Sequence, residues 1–384
     1  MDPRPRGLLV TRNFPPLVGG MERLNRHVLD ELARDWRMGL CGPAGAEQDA
    51  KGADVMIAPV RPLWRSLAGL GLSAWRWARR HRPTFVLAGS GLTAPLAWLA
   101  ARVSGARAGV YLHGLDVVVD DRAYRAIWWP LIRRCDFALC NSHNTAKLAV
   151  ARGFPPDRID VLEPGVSLPD PEARAPDYRA QAGLGERPMI VSVGRLTARK
   201  GLPEFIEQAW PSLLAMRPDA VLIIVGGEPA DALAPGRGGV AERIEDSVRR
   251  LGAEESVRAL GRCDDDALRA ILAAADVQVF PVLDLPGDVE GFGMVAVEAA
   301  AAGVPTVGFA VGGVPEAIAD GMSGSVVAAG DYAGLVASLV EWIDRRRSAP
   351  AAVSQACREH AALHAWPRFG DRLREIVRRR TMPA

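Results

Sequence analysis

The chain has 384 residues, 49% of them hydrophobic and 24% charged, the balance of a folded globular protein and not of a disordered or low-complexity chain. At ~150 residues per domain the length calls for two or three domains. No uncharged apolar run reaches the ~18 to 20 residues of a membrane span, and the charges of Asp2, Arg4, Arg6 and Arg12 around the first apolar residues speak against a secretory leader. The net charge of +2 conceals an asymmetry: residues 1–165 hold 23 Lys and Arg against 15 Asp and Glu, the rest 24 against 30.

In chain order, Gly7–Thr11 reads as a first strand and Met21–Asp35 as a helix with Leu24, Val28, Leu29 and Leu32 on one face. Asp54–Pro59, Thr84–Ala88, Ala108–Leu112, Asp136–Cys140 and Ile159–Leu162 are further strands, most of them separated by helical segments. Apolar strands alternating with helices imply a parallel sheet covered on both faces. Between Asp54 and Asp116 no acidic residue occurs, while Arg61, Arg65, Arg76, Arg79, Arg80, Arg82, Arg102 and Arg107 fall there with Trp64, Trp75 and Trp77 among them. Such a segment suits contact with an anionic membrane. It also suits a solvated helix face with buried tryptophans. Nucleic acid is not expected as a partner, because the pI is only 8.3 and no binding-motif spacing appears.

The stretch Glu163 to Arg187, rich in Pro, Asp and Ala, reads as a linker. Alternation then restarts with strands at Met189–Val193, Ala220–Val225, Val257–Leu260, Val277–Phe280 and Thr306–Gly308. Ala230–Val240 reads as a mobile loop, and residues from about Ser348 to Arg380 as helix, broken near Trp366–Pro367. The expected fold class is α/β with two doubly wound, Rossmann-like domains and a deep cleft between them: an N-terminal domain at 1–165, a linker or hinge at 166–187, a second domain at 188–365 and a C-terminal helix at 366–384. In open sheets of this kind, ligands bind outside the carboxyl ends of the strands. Five cysteines, at 41, 135, 140, 263 and 357, are odd in number and lack metal-ligand spacing, so reduced thiols in a soluble cytoplasmic protein are expected.

Several segments carry chemistry. Gly19 and Gly20 stand between a strand and a helix start, where free N–H groups favour phosphate, although a tight turn would use the same pair. Arg195 and Lys200, in "GRLTARKG" after a strand end, can hold a diphosphate and stabilise its growing charge, or be a solvated basic loop. In "DVEGFGMVAVEAA", Glu290 lies in a glycine-containing loop with the amides of Phe292, Gly293 and Met294 behind it. Glu298 sits eight residues later in a helix with apolar neighbours, where sugar hydroxyls are suitable hydrogen-bond donors and plain solvation is the alternative. Asp264-Asp265-Asp266 contains an Asp-x-Asp pattern that holds a divalent ion in some proteins, but at a helix start a capping role is the better reading.

The Glu-x7-Glu spacing, with "EGFGMVAVEAAAAGVPTVGFAVGGVPE", "VGRLTARKG", "PPLVGGMER", "LHGLD", "NSHNT", "EPGV" and "LGRCDDDAL" in that family's order, resembles retaining glycosyltransferases of family 4, which have the GT-B fold. "DLPGDVEGFG" and "NFPPLVGGME" are most similar to phosphatidylinositol mannosyltransferases and related GDP-mannose-using enzymes. The resemblance implies that Arg195 and Lys200 grip the donor diphosphate, aided by Gly19 and Gly20, and that Glu298 accepts from the ribose hydroxyls. It implies that Glu290 binds the transferred sugar with the amides of Phe292, Gly293, Met294 and Val295, that the base lies near Arg262 and Cys263, and that His113 sits over the reacting sugar. Taken alone, His113 would be a structural histidine. The catalytic set implied is therefore His113, Glu290, Arg195 and Lys200, with no metal and no cofactor beyond a nucleotide-sugar donor. The expected function is transfer of a hexose, mannose or a deoxyhexose, to a glycan or lipid-linked acceptor at the inner face of the cytoplasmic membrane, in cell-envelope polysaccharide or glycolipid synthesis. A UDP-sugar enzyme with a small soluble acceptor, a sugar-nucleotide epimerase and a non-catalytic nucleotide-sugar-binding protein are the alternatives.

Overall fold

The computed structural model describes residues 4–170, 176–228 and 239–381. The chain divides into two compact units, residues 1–165 with 366–384, and residues 166–365. Strands β1 (Arg6–Val10), β2 (Arg37–Pro43), β3 (Asp54–Ala58), β4 (Phe85–Ala88), β5 (Arg107–Leu112), β6 (Phe137–Cys140) and β7 (Ile159–Val161) form the sheet of the first unit. Their order is β3-β2-β1-β4-β5-β6-β7, and every pairing is parallel. Successive residues enter opposite cores, with Leu8, Val10, Val86 and Val110 on one face and Leu9, Phe85, Leu87 and Tyr111 on the other. Burial on both faces is why these strands are apolar throughout.

Helix Trp366–Thr381 belongs to this first unit. It inserts Phe369, Leu373, Ile376 and Val377 into the core beside helix Gly20–Leu32, a helical spacing that puts all four on one side. Its arginines meet acidic partners: Arg374 with Glu31, Arg378 with Asp35 at 2.6 Å, and Arg380 with Asp160 at 2.8 Å.

In the second unit β8 (Met189–Val193), β9 (Val221–Val225), β10 (Val257–Gly261), β11 (Val277–Phe280), β12 (Thr306–Phe309) and β13 (Gly324–Val327) form a parallel sheet in the order β10-β9-β8-β11-β12-β13. The chain runs outward from β8 in one direction through β9 and β10, then returns to its other side with β11. The carboxyl ends of β8 and β11 therefore flank the point where strand order reverses, the place where open α/β sheets leave a crevice.

Two strands are absent from the sequence reading. β2, "RMGLCGP", has no β-branched residue and two glycines, and β13 opens on Gly324, whose Cβ would overlap the Thr306 carbonyl oxygen. The segment read as a linker also holds structure. Its residues from Val166 onward fall in the second unit, and Tyr178–Gln181 is a short helix. Arg179 fastens it, bonding Asp276 at 2.9 Å and the carbonyls of Ala274 and Arg187, so polar ties replace the apolar periodicity that would have marked it as folded. Of the loop expected at Ala230–Val240, all but residues 239 and 240 lies outside the described residues, and Val240 starts helix Val240–Leu251. No helix among the described residues is long and apolar enough to cross a membrane. All five cysteines are unpaired, four of them buried as small core residues.

Candidate active site

In the second unit the segments leaving the strand ends are laced to one another by backbone hydrogen bonds. Gly226 N–H donates to Gly261 at 2.8 Å, Leu196 to Gly227 at 3.0 Å, Leu283 to Arg199 at 2.8 Å and Gly313 to Glu290 at 2.8 Å. These contacts leave no room for side chains. A Cβ at Gly201, where φ is 66°, would overlap the Pro281 carbonyl oxygen, and one at Gly313 would overlap that of Gly291. Five strand ends thus share one continuous rim.

On that rim, Lys200 and Glu290 meet. The Lys200 ammonium lies 2.9 Å from Oε2 of Glu290 and 4.4 Å from the centroid of the Phe280 ring. Arg199 donates from Nε to the same Oε2 at 3.0 Å and from Nη1 to Asp288 Oδ1 at 2.6 Å. Side-chain exposure is 11–12% for Arg199, Lys200 and Glu290, so these charges interact in a poorly solvated place. Burial alone would push the Glu290 carboxyl up, but Lys200 and Arg199 overcome it and hold the group at about 2. Burial, helped by the nearby charges of Arg199 and Arg195, pulls the Lys200 ammonium below its ordinary value against the opposing pull of Glu290. Both cations use Oε2. Oε1 has no hydrogen-bond partner among the described residues, so it can accept from a sugar hydroxyl.

The other expected donor residues lie around this pair. Gly293, at φ 100°, ends the Glu290 loop and caps helix Met294–Ala301 without a side-chain hydrogen bond. The first amides of that helix, Met294 and Val295, have no backbone acceptor among the described residues, as is usual at a helix start, where the macrodipole favours an anion. Phe292 is buried in the apolar core, so only its backbone can serve a ligand. Val295 Cγ1 and Lys200 Nζ each come within 3.9 Å of where a Gly194 Cβ would stand, which brings helix start and ammonium together over the end of β8. Val295 is steadied by a core residue, Gln278 of β11, whose Nε2 donates to its carbonyl at 3.1 Å. Met294, Val295 and Glu298 are the partly exposed positions of this helix among buried alanines and Val297, and their spacing puts them on one face. Arg195 is exposed and makes no hydrogen bond or ion pair among the described residues.

Arg262 and Cys263 follow β10. Arg262 is exposed and donates to the Glu228 carbonyl at 2.9 Å, closing over the end of β9, while Cys263 packs against the core cluster of Val191 and Ile223. Asp264 caps helix Asp265–Ala274, accepting from the Ala267 amide at 2.7 Å.

The expected residues of the first unit lie at the carboxyl end of its own sheet. Gly19 is the N-cap of helix Gly20–Leu32, and the Glu22 carboxylate folds over it while accepting from Asn13 Nδ2 at 2.8 Å. That anion competes for the role assigned to a phosphate. His113 follows β5, with Nε2 2.9 Å from the Gly89 carbonyl and its ring 4.7 Å from that of Tyr111. A carbonyl only accepts, so Nε2 carries a proton, and in the tautomer this selects Nδ1 is the acceptor.

Sequence reasoning assigned no role to Arg199 or Asp288. The signal was present as an adjacent basic pair, Arg199-Lys200, and an alternating acidic pair, Asp288 and Glu290, but their meeting spans 89 to 91 residues of chain.

Residues 18–169 match the model of Glycosyltransferase Family 4 and residues 175–360 that of Glycosyl transferases group 1. The chain is 33% identical to the GDP-mannose-dependent alpha-(1-6)-phosphatidylinositol monomannoside mannosyltransferase of Mycolicibacterium smegmatis, over 96% of this chain and 97% of that protein. It is 35% identical to the D-inositol 3-phosphate glycosyltransferase of Mycolicibacterium vanbaalenii, over 60% of this chain and 50% of that protein. Among solved structures it shares the fold of Anabaena HepE in complex with UDP-glucose, with TM-score 0.77, 20% identity and 97% of this chain and 99% of that chain covered. With both halves matched in this way, the chain belongs to glycosyltransferase family 4 and is a glycosyltransferase of GT-B fold.

Proposed function

We propose that this hexosyltransferase moves mannose, or a related deoxyhexose, from a GDP-sugar to a lipid-linked saccharide or inositol-containing lipid, with retention of anomeric configuration. The observation that carries the proposal is the meeting of the Lys200 ammonium and the start of helix Met294–Ala301 over Gly194, a seat for a diphosphate. The full-length similarity to a GDP-mannose-dependent mannosyltransferase supports the donor and the lipid class. In this reading Lys200, Arg195 and the amides of Met294 and Val295 hold the diphosphate, Glu290 Oε1 takes a sugar hydroxyl, Glu298 takes the ribose, the base lies near Arg262 and Cys263, and His113 offers Nδ1 to a saccharide hydroxyl.

The bond from the anomeric carbon to the phosphate oxygen loosens as negative charge grows on the diphosphate, and the cations stabilise that charge. The acceptor oxygen bonds to the anomeric carbon from the same face, and its proton passes to the departing phosphate oxygen. Glu290 is no nucleophile here, because Arg199 and Lys200 neutralise its carboxylate. Side-chain cations fill the place a metal takes in other transferases.

Peripheral binding to an anionic membrane at the cytoplasmic face is part of the proposal. On helix Leu63–His81, Ser66, Leu70, Ala74, Trp77 and Ala78 face the core, while Trp64, Leu72 and Trp75 are exposed on another side with Arg65, Arg76 and Arg79 beside them. An aromatic stripe edged with arginine fits the headgroup region of a bilayer.

A thermal-shift panel of GDP, UDP and ADP and their sugars tests the donor, since a ligand that binds only the folded protein raises its melting temperature. GDP and GDP-mannose are expected to give the largest shifts, and Glu298→Ala and Lys200→Ala to abolish them. Undiminished shifts in both variants would refute the donor site.

A further inference from the structure

We infer that Arg199 is a positioning residue, the permanent counter-ion of Glu290, whose presence lets Lys200 leave that carboxylate and serve the donor diphosphate. The inference rests on the donor-site reading above and concerns how that site divides its charges.

The two cations on Glu290 Oε2 are held in unlike ways. Arg199 is tied at both ends of its guanidinium, Nε to Glu290 and Nη1 to Asp288, and its carbonyl accepts from Leu283 beyond β11. A planar group fixed at two carboxylates by one fork cannot turn away without breaking both contacts. The Lys200 side chain makes a single hydrogen bond, on a flexible four-carbon stem, and its two other ammonium hydrogens have no acceptor among the described residues. The ammonium already lies over the end of β8, where Val295 Cγ1 also approaches Gly194.

A diphosphate brings negative charge to the same rim as Glu290. If Lys200 were the sole partner of that carboxylate, moving it to the phosphate would leave an unpaired carboxylate facing more anion, and Lys200 would stay where it is. Arg199 removes the conflict by keeping Glu290 neutralised throughout. Asp288 in turn keeps Arg199 from following the phosphate. The charged groups acting on Glu290 are Lys200 and Arg199, both on the segment after β8, and the third neighbour, Gly312–Gly313, presents backbone alone.

A double-mutant cycle with GDP as the probe tests this on the full chain, by titration calorimetry. With Arg199 present, Lys200→Ala is expected to weaken GDP binding by more than about tenfold, each tenfold step being ~1.4 kcal/mol. In the Arg199→Gln background Lys200 becomes the only counter-ion of Glu290, and the same change is expected to cost less than about twofold. In Arg199→Gln, where Glu290 keeps a single cation and so titrates at higher pH, GDP binding should strengthen as acid protonates Glu290 and frees Lys200, an effect that loosened packing alone does not produce. If Arg199→Gln fails to fold, Asp288→Asn replaces it in the cycle: Arg199 keeps its charge but loses its second anchor, and the cost of Lys200→Ala should fall in the same direction. An equal cost of Lys200→Ala in both backgrounds overturns the inference and leaves the donor site standing. No cost in the wild-type background overturns the donor site, and the inference with it.

Discussion

The indole of Trp366 stacks on the imidazole of His27, ring centroids 3.6 Å apart and planes inclined by 13°. The contact joins the first turn of the C-terminal helix to helix Gly20–Leu32. Burial, reinforced by Arg26 and Arg23, lowers His27 to about 4. The folded protein therefore keeps this ring neutral where the unfolded chain would protonate it. The stability so gained is complete above the ordinary histidine value of ~6.5 and is lost as pH falls from there toward about 4. Wild-type protein should lose urea resistance across that window, and His27→Phe, which preserves the stack without a titrating nitrogen, should lose less. Equal losses would show that His27 does not drive the change.

Glu290 predicts a second, more acidic window. Its carboxyl is held at about 2, so its contribution to stability is present above the ordinary carboxylate value of ~4.3 and disappears as pH falls from there to about 2. Glu290→Gln should flatten the urea midpoint over this range while lowering it at pH 7, since Arg199 and Lys200 lose a counter-ion. Turnover should fall by ~10²-fold or more, the usual cost of removing a group that orders charge in a transition state.

Gly201 offers a purely steric test. Its φ of 66° is left-handed, and a Cβ would overlap the Pro281 carbonyl oxygen, where the segment after β8 touches the one after β11. Gly201→Ala should cost ~1–3 kcal/mol of stability and move Lys200, the preceding residue, away from Glu290. Urea unfolding and the GDP-induced melting shift measure the two effects. A variant with reduced stability and an unchanged GDP shift would show that the contact does not govern Lys200.

How much of this was visible beforehand differs by kind of interaction. Local pattern was legible: β8 followed by Gly194 and Gly201, the buried alanine face of helix Met294–Ala301, and the Asp264 cap each follow from a few adjacent residues. β2 was not, because Gly39 and Gly42 and the lack of β-branched residues hide a strand that only its neighbours β1 and β3 stabilise. The site shows the same divide. Glu290, Lys200 and Glu298 stood out by type and spacing, yet sequence offered no reason to pair Lys200 with Glu290 in place of a phosphate. That pairing depends on β8 lying beside β11, a relation made by the parallel sheet across 90 residues of chain. Arg199 and Asp288 were overlooked for the same cause.

The exposed aromatic stripe of helix Leu63–His81 yields the last prediction. Trp64 is 65% exposed and Trp75 37%, whereas Trp77 is buried, so the sequence's two readings of this segment each describe part of it. Arg65 lies 5.1 Å over the Trp64 ring and Arg79 5.4 Å over that of Trp75, leaving guanidinium and indole together at the surface, as a phosphate headgroup and its glycerol backbone would require. Purified protein should co-sediment with vesicles containing phosphatidylinositol or phosphatidylglycerol, and binding should weaken as salt rises. Trp64→Ala with Trp75→Ala should reduce binding at every salt concentration, because the apolar share of the contact is insensitive to screening. Arg65→Gln with Arg76→Gln and Arg79→Gln should instead flatten the salt dependence. All five side chains are exposed, so neither set should shift the urea midpoint by more than ~0.5 kcal/mol per substitution. Binding to anionic vesicles that survives both sets unchanged would assign membrane contact to another surface and leave this helix face simply solvated.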